Sequence, residues 1–240
     1  MVLSIPMTTY TVNKTQSSFI IHQSSFRPAG WLLIIGLLLT GIGGAFLPWV
    51  WRAPAALQLT APGLAEFVKF LPEVRLGQLQ VERLYFLLPL FLSMLALPIF
   101  VENKALALPL WLRWLVRLLV IPLALAALSP VWTPAILIAP EFRLQTLLAG
   151  LAIGLAVIAP RLRWLPLRLL LIFLVGLELL AFILPLWQFS LIRSGLADAY
   201  HQPVSLGWGW WVTVAGLGLS AAASIWLIRP QAISTVSQKV

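Results

Sequence analysis

The chain has no cysteine, only two histidines and only seven acidic residues, and each shortage removes a class of chemistry. Without cysteine there are no disulfides, thiol nucleophiles, thiolate metal sites or iron–sulfur clusters, and the redox compartment leaves no mark on the sequence. No GxxxxGK[ST], HExxH or GxSxG occurs, and no acidic cluster suited to magnesium-diphosphate chemistry. The inventory argues against an enzyme, implies no cofactor, and leaves a gradient or another polypeptide as the energy source for any work done. Charge is scarce as well, at 10% of residues, against roughly a quarter in an ordinary soluble domain.

Apolar residues fill the space: 61% of the 240 residues are hydrophobic and the mean hydropathy is +0.98. A soluble core of this size cannot hide that much apolar surface, so lipid is the solvent for most of the chain. The net charge of +9 does not point to nucleic acid, because the basic residues are scattered between apolar runs instead of lining a soluble face. The expected fold is all-α, a polytopic membrane protein with six transmembrane helices in one domain. A polar cytoplasmic segment over 1–30 precedes the membrane domain, residues 31–228, and a short cytoplasmic tail over 229–240 follows it.

The first apolar run, Trp31 to Trp51, is too long and begins too late for a secretory signal, so it reads as a retained span. Gly36, Thr40 and Gly44 share one face of it, a small-residue ridge that admits a close neighbour. The remaining spans are expected over 84–101, from about 112 to about 130, over 142–159, over 169–192 and over 204–228. Gly150 and Gly154 form a GxxxG in the fourth, and Gly216, Ser220 and Ser224 a small face in the sixth. In the long loop from Arg52 to Arg83, Leu64, Phe67, Val68, Leu71 and Val74 recur at helical spacing with Glu66, Lys69 and Glu73 between them. That pattern predicts an amphipathic helix in the membrane interface, bent near Pro72. Tryptophans cluster near the expected span ends, as an aromatic belt requires. The GWGWW cluster, Gly207 to Trp211, reads as part of that belt or, more sharply, as an aromatic ligand cage.

Six spans place both termini on one side. Ten of the 16 lysines and arginines fall in the amino-terminal segment, the 102–117 region, the 160–168 loop and the tail, so the positive-inside rule assigns both termini to the cytoplasm of a multi-pass cell-membrane protein. The two halves have the sense of an inverted repeat. Their loops do not match, and the repeat is not supported.

Glu178 interrupts the 24-residue apolar run Leu169 to Ile192, roughly 14 Å from its start and so near mid-membrane. It is either a neutral acid hydrogen-bonded to Thr40, Ser93, Ser129, Thr213, Ser220 or a carbonyl freed by Pro185, or an ion paired with Arg117, the basic residue inside another span. The pair Glu178 and Arg117 is therefore the candidate for substrate or proton handling. Arg161, Arg163 and Arg168 form a basic turn suited to anionic lipid or a partner protein. Ser194, Asp198 and His201 share one loop, but a hydrolase needs a geometry that sequence cannot supply, and no metal site is expected.

Helix-breaking prolines, an intramembrane acid and small-residue faces lead to a transport permease or permease subunit as the functional expectation. The alternative is a non-catalytic subunit or assembly factor of a larger membrane complex, since every one of these features can serve packing alone. The partners implied are the lipid bilayer and either other membrane subunits or a separate ATPase chain, with no nucleic acid.

Overall fold

A computed structural model describes residues 14–51 and 58–229; the expectations for the extreme amino-terminal residues and for the tail beyond Arg229 fall outside them. Among the described residues there is no strand, only isolated bridges joining Val50 to Leu59 and to Leu206. The elements are α1 (Lys14–Ala45), α2 (Ala61–Phe67), α3 (Pro72–Arg75), α4 (Leu88–Glu102), α5 (Leu110–Ala126), α6 (Pro134–Leu137), α7 (Arg143–Leu162), α8 (Leu167–Tyr200) and α9 (Trp208–Ile228). Among the described residues five helical stretches are long and apolar enough to cross a membrane: Pro28–Ala45, Arg83–Glu102, Arg143–Leu162, Leu167–Tyr200 and Trp208–Ile228.

The sixth expected span is α5. It has 17 residues and carries Arg113 and Arg117, and it is not among the five. It does run antiparallel to α7 along its length, since Arg117 Nε donates to the Ala156 carbonyl at 2.6 Å while Gln145 Nε2 donates to the Ala127 carbonyl at 3.2 Å.

The hub of the bundle is α4, which packs against α1, α5, α7 and α8. Twelve of its 15 residues are buried, as befits a helix that is apolar on every side. Pro89 lies in its first turn, where no backbone donor is lost, and Pro98 lies inside it.

The tightest seam joins α1 to α9. A Cβ added at Gly36 would lie 2.6 Å from Ser220 N, one at Gly43 2.6 Å from Thr213 Oγ1, one at Gly209 2.6 Å from the Leu47 carbonyl carbon and one at Gly216 2.5 Å from Thr40 N. The facing pairs 36/220, 40/216, 43/213 and 47/209 step by four, three and four residues in opposite directions. Such a ladder is the signature of two antiparallel helices meeting along small-residue faces. Thr40 and Thr213 return their hydroxyl protons to the carbonyls four residues earlier, Gly36 and Gly209, so neither leaves a buried donor unpaired. Gly44 faces the other way: a Cβ added there would lie 3.4 Å from Leu90 N on α4.

The same spacing misleads on α7. Among the described residues nothing lies within 4 Å of a Cβ built at Gly150 or at Gly154, and the packed face carries Ala149, Ala152, Ala156 and Ala159 instead. Among those residues the Gly150 and Gly154 face is not a packing face. A GxxxG pattern states that a backbone can be approached closely, not which molecule approaches it.

Two further boundaries differ from expectation. The first helix stops at Ala45 instead of Trp51, because Pro48 cannot continue it and Trp49 and Val50 bond to Leu59. The fifth apolar helix does not end at Ile192 but continues to Tyr200. Its 34 residues span about 51 Å, beyond a hydrocarbon core of about 30 Å.

The bundle thus has two unlike ends. At the basic end Trp31 meets Trp111 at 5.9 Å, Asn103 Nδ2 donates to the Leu165 carbonyl, and Lys104 N donates to the Arg163 carbonyl. At the other, the cap end, residues 58–87 fold across the helix ends. The amphipathic segment there is broken, not continuous: α2 runs into a single 3₁₀ turn, Leu71 is extended, and α3 restarts at Pro72. Its apolar residues Ala61, Leu64, Ala65, Val68 and Leu71 are buried in the protein core.

Candidate functional site

Glu178 projects from α8 toward α9 and is 3% exposed. Of the hydroxyls expected nearby, only Ser220 reaches it, with Oγ donating to Oε1 at 2.5 Å. Thr40, Ser93 and Thr213 donate instead to the carbonyls of Gly36, Leu37 and Gly209. Ser220 Oγ also lies 3.0 Å from the Gly216 carbonyl and 3.2 Å from that of Leu217. A serine has one proton and here faces three acceptors. If the carboxyl carries its own proton, Glu178 donates to Ser220 Oγ and the serine proton serves a carbonyl; if it is ionised, Ser220 must abandon its helix bond. Glu178 Oε2 is buried with no hydrogen-bond partner among the described residues. The acid can therefore exchange its bonding pattern with protonation state, and one of its oxygens has no hydrogen bond to give up among the described residues.

The expected pairing with Arg117 does not form. Arg117 Nη1 lies 3.6 Å from Glu102 Oε1, and Arg113 Nη1 lies 3.9 Å from Glu102 Oε2. Glu102 ends α4, is 6% exposed, and faces two arginines spaced i, i+4 on α5. Sequence reasoning missed it, because a glutamate one residue past an apolar run reads as the first loop residue.

No protein-family model matches this chain, and no curated protein or solved structure is significantly similar to it.

At the basic end, Lys104 Nζ lies over the Trp164 ring, 3.0 Å from its centroid, and the Arg163 guanidinium lies 5.6 Å from the same ring. Desolvation and, second, the Arg163 charge push the Lys104 pKa down. Arg161, Arg163 and Arg168 make no ion pair among the described residues, and neither does Lys104. At the cap end the opposite holds. Glu66 Oε1 accepts from Arg83 at 2.6 Å, Glu66 Oε2 pairs with Lys69 at 2.5 Å, and both cations also reach Glu141. Lys69 and Arg83 further sit over the Phe142 ring. The Lys69 hydrogen bond, followed by the charges of Lys69 and Arg83, holds the Glu141 carboxyl below its usual range against some desolvation.

The GWGWW cluster divides in two. Trp210 is buried between Trp49, edge-on at 4.8 Å, and Phe182, stacked at 6.0 Å, while Trp208 and Trp211 face outward. Gly207 and Gly209 let the chain pass the backbone of residues 47–49 at distances no Cβ tolerates. This is a packing corner and a belt, not a cage. Ser194 and Asp198 lie on α8, His201 ends it in a left-handed conformation, and no hydrogen bond joins their side chains among the described residues.

Proposed function

We propose that the chain is a cell-membrane protein with six crossings, α5 included, and both termini cytoplasmic, and that it works as a transport permease or permease subunit with Glu178 handling a proton or cation. The observation that carries this reading is the buried, unpartnered Oε2 of Glu178 beside a Ser220 hydroxyl with alternative acceptors. A group that only tied helices together would be fully satisfied in its tie. An intramembrane acid with a spare oxygen and, among the described residues, no basic partner suits a proton relay.

The antiparallel run of α5 along α7 supports the sixth crossing, and the run of unpaired cations at the basic end supports its cytoplasmic placement. There Arg161, Arg163 and Arg168 would meet anionic headgroups, and the cap segment would lie in the opposite interface. Single cysteines introduced at Gln78 and at Trp164, both exposed, should label with an impermeant reagent from outside and from inside respectively. The reverse pattern, or labelling of both from one side, overturns the topology.

Glu178→Gln keeps the size and a hydrogen-bond donor but cannot gain or release a proton. It should fold with near wild-type thermal stability yet abolish proton flux into liposomes carrying the purified protein across pH 5 to 8. Normal flux with Gln refutes the proton role.

A second reading, a non-catalytic subunit or assembly factor of a membrane complex, is favoured by one observation: the open face of Gly150 and Gly154, which would suit a helix from another chain. Stable co-purification of other membrane subunits from mild detergent would favour it, and of an ATPase chain would favour the permease.

A further inference from the structure

The cap end holds an open cavity of about 400 Å³ lined by the start of α2, the end of α5 with the segment after it, and the start of α7. Pro62, Gly63 and Glu66 form one wall, Ser129, Pro130 and Trp132 another, and Gln145 lines it from α7. This volume is in the range of small-molecule sites.

Two buried polar groups are left with unused capacity there. Gln145 is 3% exposed; its Nε2 is committed to the Ala127 carbonyl, and its Oε1 has no partner among the described residues. Ser129, 2% exposed, accepts weakly from Val131 N at 3.4 Å, and among the described residues its hydroxyl donates to no protein acceptor. A buried amide oxygen without a donor is destabilising. An occupant that donates to Gln145 Oε1 and accepts from Ser129 Oγ removes that penalty.

Charge narrows the occupant. Among the described residues the only carboxylate in the wall, Glu66, is tied on both oxygens by Arg83 and Lys69, and the four-residue network with Glu141 has no net charge, so an ion gains little by entering. The Trp132 indole and the two prolines offer flat apolar surface to a ring carrying C–H groups. From this combination the geometry points to a binding site for a neutral hydroxylated ring, a monosaccharide-type group, donating to Gln145 Oε1 and lying against Trp132. The group can come from a free sugar or from the headgroup of a glycolipid at the same interface. The site is separate from Glu178, and the two readings stand or fall independently.

Saturation-transfer NMR on the full-length protein in detergent, with glucose as probe, tests the free-sugar arm. Lipid analysis after extraction from nanodiscs containing glucosyl-diacylglycerol in phosphatidylglycerol tests the headgroup arm. Transfer to the glucose ring protons, enrichment of the glycolipid, or both supports the site. The supporting signal must weaken roughly tenfold in Gln145→Met, and also in Trp132→Ala, whose exposed position spares the fold. Wild-type thermal stability of Trp132→Ala separates lost binding from lost structure. Absence of signal in both arms, equal signal in wild type and both variants, or a preference for glucose 6-phosphate over glucose overturns the assignment.

Discussion

Gly216→Leu is expected to eliminate the folded protein. A single Cβ at this position would stand 2.5 Å from Thr40 N, 2.6 Å from Thr40 Oγ1 and 2.7 Å from the Gly36 carbonyl oxygen, and two of those three atoms are backbone, which cannot rotate away. Gly36→Leu meets the same obstacle from the other side, at Ser220 N and the Gly216 carbonyl. Overpacking a core with flexible walls costs about 1–3 kcal/mol. Here the walls are two helix backbones, so α1 and α9 must separate along the whole ladder and lose the contacts of every rung. Size-exclusion profiles of detergent extracts should show aggregate or no protein for either variant, and an intermediate yield for Gly216→Ala. Gly150→Leu, placed in open space by the same chain, should give a wild-type profile and melting temperature. A well-folded Gly216→Leu protein would mean that α1 and α9 do not meet on this face.

That contrast bears on how much of the molecule can be read from its sequence. The apolar runs mark five helices without ambiguity, because in lipid every backbone group must be satisfied within its own helix. Their ends were harder: α8 continues past Arg193, since leaving the hydrocarbon does not oblige a helix to stop. The ridge at Gly36, Thr40 and Gly44 and the face at Gly216, Ser220 and Ser224 were both visible as small residues four apart. That Gly36 and Thr40 face Gly216 and Ser220 while Gly44 turns to α4 was not, and Gly150 and Gly154 show the same pattern pointing away from the protein. Periodicity specifies a face; only tertiary structure specifies its occupant.

Glu178 was legible because a carboxylate inside an apolar run is anomalous on its own, and Ser220 stood among its possible partners. The central role of α4 was hidden for the opposite reason. A helix buried on all sides has no polar face to give it away, and its only marks were two prolines. The cavity at Gln145 lay wholly outside sequence reach, since its walls come from three separated segments and its one diagnostic feature is an unmatched carbonyl.

Glu102 is where reading and structure differ most, and Glu102→Leu should show it. The carboxylate is the acid facing both Arg113 and Arg117. Arg113 Nε and Arg117 Nε are bound to the carbonyls of Leu108 and Ala156, so neither guanidinium can leave easily for water. Removing one member of a fully buried ion pair costs about 3–5 kcal/mol, chiefly through the charge left behind. The two arginines here keep 23% and 15% of their side-chain exposure, which brings the expected loss to about 1–3 kcal/mol. For a chain of this size the melting temperature should then fall by on the order of 5 °C. Glu102→Gln keeps an acceptor oxygen for the arginines while removing the charge, and should fall between wild type and Leu. The double variant Glu102→Leu with Arg117→Leu should recover part of the loss, because the stranded cation goes with its partner, and the non-additivity measures the pair directly. Full additivity would place Arg117 in water instead of against α4 and α7. The coupling therefore also reports on topology: α5 can bring an arginine about two turns along its length from Leu110 because α4 supplies a counter-charge at the same depth, and without that charge the helix with the weakest claim to cross the membrane would have the least reason to remain there.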